Sequence, residues 1–350
     1  MTNIRSILGW SCLCLWVVSC NPAKDQEQVD AGPTPLSIPL PAHLPAMPIP
    51  SGNPLTVEGV ALGKQLFNDP ILSINNRVSC GTCHKPDIAF ADGQALSTLG
   101  VTGVRLPRHT PTLQNLAWHT SGLFWDGGVR NLESLSAAPI QEHDEMGQNM
   151  IVVVNLLNRS GDYKAKFRKA FGTDSVTQSG LLKALAQYMR TLVSADSKYD
   201  RYRAGQATLT AQELDGLQIV TTKCSPCHEA PFFTDHLFHN NGLQEVYNDP
   251  YKEGIRMGRY RITFYEPDRG AFKTPTLRNI MVSAPYMHDG RIADIDAVLE
   301  HYYSHVVESQ TLDTLLNKPG QQLGVPLSTT EKAALKAFFA TLTDPAFLTQ

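Results

Sequence analysis

The sequence predicts a mainly α-helical protein built of two tandem, related domains. Three observations lead there: helix caps followed by apolar residues at helical spacing, few alternating strand patterns, and a long segment that occurs twice. "HTPTLQNLAWHTSGLFWDGGVRNLESL" at 109–135 matches "KTPTLRNIMVSAPYMHDGRIADIDAVL" at 273–299. Each runs TPTL, an asparagine two residues on, an aromatic-rich stretch, Asp-Gly and then a helix. A shorter pattern, Cys-x-x-Cys-His, is also said twice, as "CGTCH" at 80–84 and "CSPCH" at 224–228.

Length and charge bound the rest. The chain has 350 residues, enough for two cores, and a net charge of -3. That balance gives no footprint for nucleic acid or for a polybasic membrane contact. Residues 1–20 read as an export signal: Arg5 opens it, Ile7 to Val18 is an apolar run too short for a good span, and "VVSC" ends at Cys20. This is a lipobox pattern, which makes Cys20 the lipidated first residue of an envelope lipoprotein, periplasmic or on the outer membrane. An ordinary cleaved signal is the competing reading. Asn21 rather than aspartate follows the cysteine.

Residues 21–54 read as a tether with no core of its own, because 33–54 holds eight prolines. Extended, its 34 residues span at most about 110 Å. The first domain then covers 55–204 and the second 205–350, with a seam around "RYRAGQATLT". In the first, Leu182, Leu185, Met189 and Leu192 fall on one helical face. In the second, Thr210 with Glu213 and Ser328 with Glu331 are capping boxes, each opening a helix.

Of seven cysteines, Cys12 and Cys14 leave with the signal and Cys20 takes the lipid. The two Cys-x-x-Cys-His pairs remain. Two disulfides would suit an exported chain, but a disulfide has no use for the adjacent histidine. Zinc ribbons bring such pairs together at a much shorter separation. A c-type haem uses every residue of the pattern: two thioether bonds from the cysteines and a histidine on the iron. Cys80, Cys83 and His84 are the first set, and Cys224, Cys227 and His228 the second.

With "SCGTCH", "AFADG", "TPTLQN", "FWDGG", "APIQEHDEM", "CSPCH", "FKTPTLRN" and "APYMHDG" in this order, residues 55 to 345 resemble the bacterial di-haem cytochrome c peroxidases, including the MauG branch. The resemblance implies two cytochrome c-like domains, one covalently bound c-type haem in each. It implies that hydrogen peroxide is reduced to water at the N-terminal haem, with electrons relayed through the C-terminal haem from a small redox protein such as a cytochrome c or a cupredoxin. A homodimer is a compatible assembly. Trp125, in "FWDGG", matches the tryptophan between the haems. Glu145, six residues after Pro139, matches the catalytic acid-base, with Glu142 and Asp144 as its exposed loop neighbours. A carboxylate there can take the proton from one peroxide oxygen and return it to the other.

Three positions depart from the family pattern. Leu135 stands where a glutamine is common, four residues before Pro139, and makes the pocket more apolar. The loop "LSTLGVTGVRL" has no histidine near Gly100, where many members hold a switching ligand, so the first iron is expected to keep an open position. His109 and His119 are the candidate intruders, with a structural role as the alternative. His109 also replaces the asparagine of the family's calcium site, a poor exchange because calcium prefers oxygen. Carbonyls near Ser283 and Pro285 are the remaining calcium donors.

For the second iron, the resemblance places the far ligand fourteen residues after His288, at Tyr302. Ile295, Val298, Leu299 and Tyr302 share an apolar helical face, which turns Tyr302 inward. Met287 and His305 are the competing ligands. A methionine raises an iron potential, whereas an anionic phenolate favours the ferric state. Tyrosine is the choice of the MauG branch. Two further functions follow as alternatives: peroxide-dependent oxidation of an external or protein substrate, or electron transfer without peroxidase turnover.

Overall fold

Four helices frame the protein as two crossed pairs. Val57–Asn68 packs on Gln178–Thr191, and Ala211–Ile219 packs on Thr329–Thr341. Each crossing has a glycine at its centre: a Cβ on Gly63 would collide with the Ala184 carbonyl, and one on Gly216 with the Ala334 carbonyl. Without side chains at those points the two backbones can touch. The computed structural model behind this description covers Thr2, 32–248 and 254–350, so the signal and the lipid site at Cys20 lie outside the described residues.

The helices start where side chains satisfy their free amides. Thr56 accepts from Gly59 N–H and Thr177 from Gly180 N–H. The capping boxes Thr210–Glu213 and Ser328–Glu331 both form. Leu182, Leu185, Met189 and Leu192 are all buried, as their spacing requires. Among the described residues the one named sheet is a two-residue antiparallel pair, with Phe238 opposite Lys273 and His239 opposite Phe272. No described helix is long and apolar enough to cross a membrane.

Two apolar clusters fill the body, one running from Leu62 to Leu192 and the other from Tyr199 to Leu342. The ends are exchanged. Helix Lys198–Arg203, expected at the end of the first domain, packs Tyr199 into the second cluster. Phe347, near the end of the chain, sits against Phe90 in the first, ring centroids 5.4 Å apart.

The duplication seen in the sequence extends to single hydrogen bonds. Asn115 and Asn279 both adopt left-handed backbone, φ 56° and 55°. Asn115 N–H donates to Leu192 O at 2.8 Å, and Ser194 N–H donates back to Asn115 Oδ1 at 3.0 Å. Asn279 N–H donates to Leu342 O at 3.1 Å, and Asp344 N–H to Asn279 Oδ1 at 2.7 Å. Each TPTL turn is thus latched to the end of its own half's last helix. The two latches also meet, since Asn279 Nδ2 donates to Ser194 Oγ at 3.0 Å.

The proline-rich segment corrects the tether expectation over 33–54. Those residues lie on the body rather than standing off it. Leu36 N–H bonds Leu55 O, Thr34 bonds the Glu58 carboxylate, and Leu44 packs in one cluster with Trp118 and Phe232, one from each half. His43 Nε2 meets Asp200 Oδ1 at 2.8 Å. Asp200 also takes both Arg278 Nη1 and Nη2 at 2.8 Å, with the arginine fully buried. Prolines suit this role, because a segment with restricted backbone loses little entropy on docking.

Candidate active site

The two Cys-x-x-Cys-His segments build two cradles with the same hydrogen-bond logic. Cys80–Cys83 is a single helical turn whose N-cap Ser79 forms a box with Thr82. His84 N–H closes the turn on Cys80 O at 2.9 Å, and His228 N–H does so on Cys224 O at 2.8 Å. Each imidazole then gives Nδ1 to a backbone carbonyl: His84 to Phe90 O at 2.6 Å, His228 to Phe233 O at 3.0 Å. Both phenylalanines carry positive φ, 61° and 54°, and are buried. That strained backbone aims the carbonyl at the ring and fixes the tautomer, leaving Nε2 as the free ligand atom.

The cysteines fit a thioether-bound haem and not a metal–thiolate site. All four are free. Burial pushes the thiols up, to about 12 for Cys80 and Cys227 and about 11 for Cys83 and Cys224. A zinc site needs thiolates that converge. Here the two pairs sit in different halves, each beside its own oriented histidine.

Glu145 lies close enough to the first cradle to act on its cysteines. Its charge raises both Cys80 and Cys83. Burial, helped by the neighbouring charge of Glu142, pushes its carboxyl up to about 7. Glu142 is exposed and Asp144 half-buried. The segment is held from behind by the loop that lacks the family histidine: Val101 N–H donates to Glu145 O at 2.8 Å, and Thr102 Oγ1 to Asp144 Oδ1 at 3.1 Å. A Cβ on Gly100 would collide with Asp144 O, so in this arrangement no side chain fits there. Leu135 is buried in the first apolar cluster.

Trp125 lies where the two repeats exchange bonds. Its Nε1–H donates to His109 O at 2.8 Å, and its carbonyl accepts from Lys273 N–H at 2.8 Å. His109 and Lys273 are the residues that open TPTL in the first and second repeats. Neither candidate intruder is poised as a ligand. His109 shares Nδ1 with Gln94 O at 2.8 Å, and His119 packs against His236 at 4.4 Å between centroids. The same Gln94 bond engages the side chain that replaces the family asparagine.

Over the second cradle, Tyr302 is brought beside Cys224 and Cys227, whose charges, after burial, help push its hydroxyl up to about 12. It rides not on the regular helix Ile295–Glu300 but on the π-helical turn His301–His305 that follows. Cys224 ends a second such turn, Val220–Cys224. One-turn π segments recur at functional sites because they re-aim a side chain. His305 is exposed. Met287 is closer to the site: Asn241 Nδ2 lies 3.3 Å from its sulfur, and the same side chain hydrogen-bonds Tyr302 in the sense that favours phenolate. Asn241 was not legible in the sequence, since nothing in its spacing marks it. The same is true of His239, held between Asp313 (2.6 Å) and Asp235 (2.8 Å) next to Cys227 and raised to about 9 by those two carboxylates.

Comparison with known proteins agrees with this architecture. The model of the di-haem cytochrome c peroxidase family matches residues 57–208. The methylamine utilization protein MauG of Methylorubrum extorquens is 39% identical over 313 residues, covering 87% of this chain and 84% of that protein. The cytochrome c551 peroxidase of Nitrosomonas europaea is 32% identical over 261 residues, covering 74% and 77%. A solved MauG-like protein associated with microbial copper homeostasis is similar at TM-score 0.80 and 31% identity, over 89% of this chain and 97% of that one. The diheme peroxidase BthA from Burkholderia thailandensis shares the fold at TM-score 0.68 and 21% identity, over 90% and 97%. The chain belongs to the di-haem cytochrome c peroxidase family, and it is an oxidoreductase of that family.

Proposed function

We propose that this chain reduces hydrogen peroxide at the cradle of Cys80, Cys83 and His84, using electrons that enter through the half carrying Cys224, Cys227 and His228. A c-type haem in each cradle supplies the redox chemistry: an iron that binds peroxide in the first and one that passes electrons in the second. The observation that carries the reading is Glu145, a carboxyl raised to about 7 beside the first cradle, whereas the described carboxyls beside the second, Asp235 and Asp313, are held below their ordinary range by His239. At that value it can take a proton from peroxide and return it to the departing oxygen near neutral pH. His84 and His228 orient through Phe90 O and Phe233 O. Trp125, bonded to both repeats, is the electron relay between halves. Net, two electrons and two protons convert one peroxide to two waters.

Tyr302 favours a second use of the same peroxide chemistry, oxidation of an external or protein substrate, because an anionic oxygen ligand favours the higher oxidation states of iron. A phenolate at the second iron, supported by Asn241, would lower the appetite for electrons from a donor. The chain is further proposed to be exported and anchored by lipid at Cys20. The deciding experiment follows peroxide loss by the di-haem protein with a small reductant, in wild type and Glu145→Gln. Turnover in wild type that falls at least a hundredfold in the variant supports the reading; absence of turnover in wild type leaves a di-haem electron carrier.

A further inference from the structure

We propose that the surface made by Ile262, Phe264 and Tyr265 is the docking site for an acidic redox protein that delivers electrons beside Trp125. The inference rests on the peroxidase reading and adds where the donor binds and what charge it carries.

Three large apolar side chains lie within four residues at 40%, 77% and 63% exposure. Phe264 is the most telling. It ends the short helix Tyr260–Thr263 in left-handed backbone, φ 54°. Glycine or asparagine takes that position at least cost. Phe90 and Phe233 have the same conformation, but they are buried and their carbonyls orient the two histidines. Phe264 has neither return; among the described residues its one ring partner is Tyr260, edge-on with centroids 6.0 Å apart. An exposed aromatic held in a costly backbone state is suited to contact with another molecule.

The patch is fastened to the turn that follows Trp125. Arg261 Nη1 and Arg108 Nη1 both bond Asp126 Oδ2, at 2.9 and 2.8 Å, and Asp126 is buried. Ile262 lies over Gly128, whose missing Cβ would come within 3.2 Å of Ile262 Cδ1. A protein seated on Phe264 and Tyr265 therefore rests on the segment that carries the relay.

Charge selects the occupant. The whole chain is net acidic at -3. Among the described residues, Arg108, Arg259, Arg261 and Arg269 stand around the patch against Asp126, Glu266 and Asp268, and Asp126 is buried beneath two of the arginines. Arg269 covers Tyr260 at 3.9 Å and Arg259 covers Phe238 at 4.0 Å, a cationic and aromatic rim around an apolar centre. Such a rim steers an acidic partner. A second copy in an isologous contact would set two basic faces together. Each docked donor gives one electron, its own metal centre being oxidised, and two encounters supply the pair that one peroxide consumes.

The test uses the di-haem protein with peroxide and three donors: ferrocyanide, a reduced acidic cupredoxin and a reduced basic cytochrome c. Wild type is compared with Phe264→Ser/Tyr265→Ser and with Ile151→Ser, another exposed apolar residue at 70% exposure. The expected result is oxidation of the acidic cupredoxin that slows with salt, a KM for it at least tenfold higher in the double variant, and ferrocyanide turnover unchanged throughout. Any of four results overturns the inference: wild type uses ferrocyanide but not the acidic protein; the double variant equals wild type; the basic cytochrome c serves equally well; or wild type is a dimer that the double variant dissolves. Loss of ferrocyanide turnover in wild type would instead overturn the peroxidase reading, and this inference with it.

Discussion

Trp125 and His288 are partners across the internal duplication. Each precedes its Asp-Gly, and each gives its carbonyl to the residue that opens TPTL in the other repeat: Trp125 O to Lys273 N–H at 2.8 Å, His288 O to His109 N–H at 2.9 Å. The side chains have diverged. Trp125 keeps an indole bonded to His109 O, while His288 is a buried imidazole stacked on Phe272, centroids 3.5 Å apart and planes 6° from parallel. Burial drives its pKa down to about 3, so it is neutral. Trp125→Phe keeps the backbone bond and loses only the indole donor. The folded protein should keep both haems, while electron transfer between them slows at least tenfold in stopped-flow spectra. An unchanged rate would remove Trp125 from the path.

Glu145 should set a pH profile. Its first task needs the carboxylate, whose fraction rises through about 7. Peroxide turnover should therefore rise with pH around 7 and level off above it, and Glu145→Gln should be flat and slower by about a hundredfold or more. Stability has the opposite sign. A carboxyl raised from its ordinary 4.5 favours the fold below that value, and the benefit is lost as pH climbs through about 7. Glu145→Gln should be more stable than wild type at pH 8, by about 1–3 kcal/mol in urea melts, and equal to it at pH 4.

Gly100 tests the support behind that acid. Gly100→Ala puts a Cβ into Asp144 O and must push the Glu145 segment away. Turnover should drop about tenfold or more, with a stability loss of about 1–3 kcal/mol. Thr102→Val, which removes the Asp144 side-chain bond and the exposed, 3.3 Å acceptor of Val104 N–H, should change stability by about 1 kcal/mol or less and keep turnover. Equal effects from both variants would show that the loop is not the support.

Tyr302 and Asn241 should act on the second haem as a pair. Tyr302→Phe removes the phenol; Asn241→Leu removes the amide that favours its ionised form. Both should raise the potential of that haem in spectroelectrochemistry, Tyr302→Phe more than Asn241→Leu, leaving the first haem unmoved. If Met287→Leu alone alters the spectrum of the second haem, methionine is the ligand.

Asp200 should control acid stability. Its carboxyl is held well below the usual carboxylate range by Arg278, Ser197 and His43, against the opposing effect of burial. A depressed pKa stabilises the fold above about pH 4, and that contribution is lost as pH falls below it. Asp200→Asn leaves Arg278 buried without its charge partner and should cost about 3–5 kcal/mol at pH 7. His43→Ala removes one bond between the docked proline-rich segment 33–54 (the strap) and the body and should cost about 1 kcal/mol.

The two Cys-x-x-Cys-His segments and the duplication were legible because each is local. Cys-x-x-Cys-His works within one turn of chain, and the TPTL repeats are contiguous. Thr210, Ser328 and their glutamates act three residues apart, so their helices could be read directly. Tyr302 was legible as inward-facing from helical spacing, but its π-helical turn was not, because the extra residue in the turn leaves no mark on composition. The strap was misread for a related reason. Eight prolines say extended, and nothing local says whether an extended chain is free or docked; His43 finds Asp200 across 157 residues.

The sequence by itself determined where the two Cys-x-x-Cys-His segments lie, which half carries Glu145 and which Tyr302, and the mainly helical class. Those follow from short-range patterns whose chemistry needs adjacent residues. The tertiary structure alone decided what acts on them from a distance: Asn241 on Tyr302, the Gly100 loop behind Glu145, and the reciprocal bonds of Trp125 and His288. The carboxyl of Glu145 rises because packing removes water, and Asn241 meets Tyr302 because separate segments fold onto one cradle. Neither burial nor long-range contact is written at any single position of the chain.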